Sequence, residues 1–135
     1  MAVSLKKIHN LCRYTLAFVF FYHGLFPKLV VLSPIEVKMI TTHNIDIPTH
    51  LLSTGAGVME ILLAFIIVFY KKSTAPLYIA GIVLIALLVD ISIMMPQLLI
   101  EAFNPVSTNI ASLALCYIAI LTQSMAYQNT NGVKF

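Results

Sequence analysis

The chain has 135 residues, 60% apolar and only 10% charged, with a mean hydropathy of +0.96. Soluble domains run at roughly 45–50% apolar and about 25% charged, so an ordinary water-soluble fold is excluded and lipid must cover much of the surface. The net charge of +3 comes from basic residues scattered beside apolar runs, which excludes nucleic-acid binding; Cys12 and Cys116 have neither C-x-x-C nor Cys/His spacing, which excludes a disulfide scaffold and a metal site.

A helix needs about 20 mainly apolar residues to cross a bilayer, and nearly the whole chain is spent on four such stretches. The expectation is one membrane domain over residues 1–135, an all-α bundle of four transmembrane helices with a short extracytoplasmic helix in the first loop. The first span, about Ile8 to Phe26, follows Lys6 and Lys7, but it is long for a signal sequence and lacks an A-x-A cleavage site, so it reads as a retained helix. The one long connection, Pro27 to His50, comes next. Within it, Ser33-Pro34-Ile35-Glu36 has the spacing of a capping box and predicts a helix from Pro34 to about Thr42. Its Ile35, Met39 and Ile40 suit it either to rest on the membrane face, the simpler reading, or to cover the mouth of the bundle.

The second span runs from Leu51 to Tyr70 and the third from Leu77 to Met95. The tight Tyr70-Lys71-Lys72-Ser73 corner, with Thr74-Ala75-Pro76 opening the next helix, makes these two antiparallel neighbours. The fourth span, Val106 to about Tyr127, opens at Asn104-Pro105, an N-cap followed by proline at the first helical position. Lys6, Lys7, Arg13, Lys71, Lys72 and Lys134 fall on one side and Lys28 and Lys38 on the other, so both termini are expected in the cytoplasm of a cell-membrane protein.

An ionisable group near the bilayer centre costs at least about 2.5–3.5 kcal/mol on insertion scales, so each asks for a partner, a cavity or a function. Ser53, Gly57, Glu60 and Ala64 share one helical face, which turns Glu60 toward the bundle. Asn109, Ser112, Cys116, Ala119 and Gln123 form a second polar and small seam, and Asp90 continues a stripe from Val83 and Ala86. These faces predict an outward-opening pocket lined by His23, Glu60, Asp90 and Asn109, with Lys28, Gln97, Glu101 and Asn104 at its rim. Two readings stand side by side: a ligand or proton site, or carboxyl groups buried only to fix helix register. Arg13 has no acidic residue on its side and is expected to snorkel to lipid phosphate. The two cysteines are expected to be small buried groups, and Tyr14, Phe18 and Tyr22 either line a groove for a tail or simply pack.

Four segments, Tyr22-His23-Gly24-Leu25-Phe26-Pro27-Lys28-Leu29, Pro34 with Glu36, Gly55-Ala56-Gly57-Val58-Met59-Glu60 and Phe103-Asn104-Pro105-Val106-Ser107, resemble in order the recurring motifs of the DoxX-like membrane proteins. The resemblance covers nearly the whole chain. It implies a compact four-helix membrane domain, in a family named after the small subunit of a thiosulfate:quinone oxidoreductase, and carries no catalytic residues over. The function expected is a membrane subunit that binds a quinone or another small amphiphile and serves a redox system. Its candidate ligand residues are His23, Lys28, Glu60, Asp90, Asn104 and Asn109. The alternative is a non-enzymatic subunit that docks a membrane or extracytoplasmic protein. A transporter or channel ranks below both, because the inner half offers little beyond Gln123 for a pathway and no inverted repeat is visible.

Overall fold

A computed structural model describes residues 2–131 and the side chains of residues 4–125; Lys134, one of the basic residues assigned to the cytoplasmic side, lies outside the described residues. Among the described residues every regular element is helical: α1 (Ala2–Leu25), α2 (Pro34–Thr42), α3 (Thr49–Phe69), α4 (Ala75–Met94) and α5 (Pro105–Asn131), with a π turn at Phe26–Val30 and a 3-10 turn at Pro96–Ile100. Three segments, Thr49–Phe69, Ala75–Met94 and Pro105–Met125, are long and apolar enough to cross a membrane, and Ser4–Val30 joined to Pro34–Thr42 through a bend of 88° makes a fourth such unit. Phe69, Ile82 and Ile93 are 76%, 67% and 71% exposed, a surface that water does not tolerate and lipid does.

The helices pack side by side in the order α3, α1, α5, α4, with α1 along both α3 and α5 and α4 against α5. Leu16, Ala17 and Phe20 of α1, Ala64 and Ile67 of α3, Leu77, Ala80 and Leu84 of α4, and Ala119 of α5 make one buried core; Cys12 and Cys116 sit in it as free thiols. The tight corner does not make α3 and α4 close neighbours along their length, as the loop alone suggested: they touch little. A short loop fixes one end of a helix pair, and here side chains of both helices line a space between them.

Where α1 meets α3 the backbones are almost in contact. A Cβ on Gly24 would stand 2.6 Å from the Gly57 carbonyl oxygen, and a Cβ on Gly57 would stand 2.6 Å from that of Gly24. Only glycine fits both positions. Three residues after Gly24, Pro27 brings no N–H for the His23 carbonyl, and the chain widens into the π turn, closed by Val31 N–H donating to Phe26 O at 3.0 Å. The chain then bends into α2. Ser33 Oγ caps it by accepting from Ile35 N–H at 3.2 Å. Glu36 does not complete a capping box; its carboxylate turns inward, 3.9 Å from the Lys28 ammonium, because an ammonium is a stronger partner than a backbone N–H. Nor does α2 simply rest on the membrane face, for it packs on α3 and reaches α4, where Met39 joins a second apolar cluster of Ile91, Met95 and Leu98.

At the opposite end the expectation for Arg13 is overturned. It does not snorkel to lipid: it is 0% exposed and donates to the carbonyls of Ile67 at 2.9 Å and Tyr70 at 2.8 Å, to Gln123 Oε1 at 2.9 Å, and more weakly to Ser73 O. The last turn of a helix presents carbonyls without intrahelical donors and a partial negative charge. Arg13 therefore finds at the end of α3 the anionic surface that the sequence lacks in carboxylate form. His9, 3% exposed, lies beside it with Nδ1 2.9 Å from Ala119 O.

Candidate functional site

The space between α3 and α4 is a cavity of about 920 Å3 that extends to the π turn, α2 and the start of α5. Leu62, Leu63 and Ile66 of α3 face Ile79, Val83 and Leu87 of α4 across its apolar half. The half toward α2 carries the polar groups. His23, Lys28, Glu60, Asp90, Asn104 and Asn109, singled out from sequence, all line this one cavity.

They form two ionic centres. In the first, Lys28 is hydrogen-bonded to Glu60 Oε1 and stands 3.9 Å from Glu36 Oε1. The Gly24–Gly57 crossing makes this meeting possible, since Lys28 Cβ lies against the bare Gly57 backbone one turn before Glu60. One ammonium here serves two carboxylates. Burial pushes the Glu36 carboxyl above its usual range, with Lys28 drawing it down and Glu60 pushing it up again. Glu60 Oε2 is buried without a hydrogen-bond partner, and so is the Oγ of Ser53, a residue 1% exposed that also lines the cavity.

The second centre joins α2 to α4. His43 Nε2 lies 2.8 Å from Asp90 Oδ1 and His43 Nδ1 lies 2.7 Å from Met39 O. Both ring nitrogens face acceptors, and only the imidazolium donates from both. The Asp90 hydrogen bond and then that to Met39 hold the His43 pKa above its ordinary value. The pair ties the end of α2 across the gap between α3 and α4.

Asn104 is occupied at the rim: its Oδ1 accepts from Ser107 N–H at 2.9 Å and its Nδ2 donates to Glu101 O at 3.1 Å, the N-cap arrangement expected for α5. Asn109, 9% exposed, follows one turn further in. His23 lies at the exposed edge of the cavity. Sequence reasoning missed His43 and gave Glu36 only a capping role. His43 belongs to the loop side of α2 and meets Asp90 across 47 residues, a pairing no helical spacing announces. Tyr14 and Phe18 border a separate shallow groove of about 240 Å3 between α1 and α3.

Charge is unevenly spread over the molecule. Of the five acidic residues of the chain, Glu36, Glu60, Asp90 and Glu101 line this cavity; of the Lys and Arg among the described residues, Lys28 alone does. Among the described residues no group of three His, Cys, Asp or Glu is placed to hold a metal ion. The arrangement has the means to hold a polar head by charge and hydrogen bonds while apolar walls hold the rest of the molecule.

No curated protein and no solved structure matches the chain. A family model described as the DoxX-like family matches residues 17–117, from the middle of α1 to the middle of α5 and so across every element that lines the cavity. The chain is thus a small membrane protein that belongs to the DoxX-like family.

Proposed function

We propose that this chain is a ligand-binding subunit of the cell membrane. In this reading α1, α3, α4 and α5 form a bundle of four spans, α2 lies on the extracytoplasmic side, both termini are cytoplasmic, and the space between α3 and α4 takes a head-and-tail molecule from the bilayer. The observation that carries the reading is the division of the cavity into an apolar half and a half rich in ionisable side chains. Its volume of about 920 Å3 falls in the roughly 300–1,000 Å3 range of small-molecule sites. Carboxyl groups kept only to fix helix register need no such space, because protein interiors close-pack.

His23, Lys28, Glu60, Asp90 and Asn109 are the residues that would face the head, with Asn104 at the rim. The family resemblance makes a quinone the first molecule to try, and it links the chain to a redox system through a membrane or extracytoplasmic partner protein. The test is native mass spectrometry of the chain released from nanodiscs with decylubiquinone added. One amphiphile per chain is expected, lost when Val83→Trp and Leu87→Trp together fill the space. A bare chain in the wild type, or equal retention in the filled variant, contradicts the reading.

A further inference from the structure

Resting on the reading of the cavity as a ligand site, we propose that its ligand is an amphiphilic cation, a positively charged nitrogen or phosphorus head on an apolar body, held chiefly by Glu36 and Glu60. Four of the five acidic side chains of the chain line one cavity, where among the described residues they meet a single Lys and the His43 imidazolium. Such an excess inside low-dielectric walls focuses cations. An anionic head would meet four carboxylates, with Lys28 already engaged by Glu60 and His43 by Asp90.

The pairing within the site sharpens this. Asp90 has His43 at 2.8 Å, whereas Lys28 stands between two carboxylates and cannot neutralise both. One negative charge, or the proton that cancels it, is left over at Glu36 and Glu60. Glu60 Oε2 is buried with no hydrogen-bond partner, an orientation that costs about 1–3 kcal/mol or more unless something donates to it. Ser53, two helical turns nearer the α2 end on the same face, is 1% exposed, borders the cavity and carries a second unpartnered oxygen. These two atoms are the independent sign of a missing partner. A bare metal ion is the poorer fit, since three ligating side chains nowhere converge among the described residues and apolar walls adjoin the carboxylates.

A cation competes with a proton for Glu36, whose carboxyl burial holds above the usual range. The groups facing it are Lys28 from the π turn and Glu60 from α3, with His23 of α1 beside that pair. Affinity should therefore weaken as pH falls through the raised Glu36 value.

The test is equilibrium binding of radiolabelled tetraphenylphosphonium to the whole chain in phosphatidylcholine nanodiscs, with decylammonium, decylubiquinone and decanoate as competitors of equal tail length. Saturable binding near one per chain is expected, displaced by decylammonium and not by decanoate. Glu36→Gln and Glu60→Gln should each weaken it about tenfold or more, while Ile82→Leu, at an outward-facing position away from the cavity, leaves it unchanged. Glu36→Gln is the cleaner variant, because its contact with Lys28 is the longer one at 3.9 Å. If native mass spectrometry shows decylubiquinone retained while both cations fail to bind, the charge assignment is overturned and the cavity reading stands. Cation binding that is indifferent to both Gln variants also overturns the assignment. Absence of binding by every probe overturns both.

Discussion

Arg13 shows how a charge is held at the edge of a membrane by helix-end carbonyls and a side-chain amide. Its guanidinium meets the Ile67 and Tyr70 carbonyls and the Gln123 amide in one planar fan. A lysine ammonium at that position is a single point and cannot span them. Arg13→Lys is expected to destabilise the protein by about 2–4 kcal/mol, since each buried carbonyl left without a donor costs about 1–3 kcal/mol. Unfolding in detergent measures this, and an unchanged midpoint would contradict it. No sequence signal marks this partner, because a helix end is made of peptide groups; hence a lipid phosphate looked like the only anion in reach. His43 makes a pH-dependent counterpart at the other end. Its folded pKa is raised, chiefly by Asp90, so its stabilisation is fully present below the ordinary histidine value of about 6.5 and is lost as pH rises through the raised value. The stability difference between wild type and His43→Gln should accordingly be present in mild acid and vanish in alkali.

Among the elements, α1 and α3 depend on one crossing. A methyl on Gly24 or Gly57 meets the opposite carbonyl at 2.6 Å, and backbone cannot step aside as a flexible side chain does. Gly57→Ala should separate the helices, cost about 1–3 kcal/mol, and draw Lys28 off Glu60, so that cation binding falls with stability. Gly55→Ala, where nothing lies within 4 Å, is the control: it should leave binding unchanged and should not lower stability, since alanine is the better helix former. The stripe Ser53, Gly57, Glu60, Ala64 was legible in the sequence because period 3.6 sets a helix face, and Ser53, Gly57 and Ala64 are buried on it. That Gly57 meets Gly24 was not legible, since a spacing within one helix says nothing of its partner. In α2 the limits Pro34 and Thr42 followed from Ser33-Pro34. The inward turn of Glu36 did not, because it depends on an ammonium delivered by the π turn.

For the molecule as a whole, the consequential feature is the sparse contact between α3 and α4, which sequence adjacency concealed and which creates the cavity. The apolar stretches and their polar interruptions were readable, because lipid and desolvation constrain composition directly. The order of packing was not, since it rests on a glycine crossing, a buried arginine and a tether from α2. The orientation is tested by membrane-impermeant labelling of Lys38, expected to react from outside; protection of Lys38 in sealed cells would reverse the assignment. The central claim is that an amphiphile occupies the space between α3 and α4. Photolabelling in nanodiscs with a decyl amphiphile bearing a diazirine midway along its tail tests it most directly. Saturable labels are expected on Leu63, Ile66, Val83 and Leu87, suppressed by unlabelled amphiphile; labels confined to the outward-facing Phe69, Ile82 and Ile93 and rising without saturation would contradict the claim.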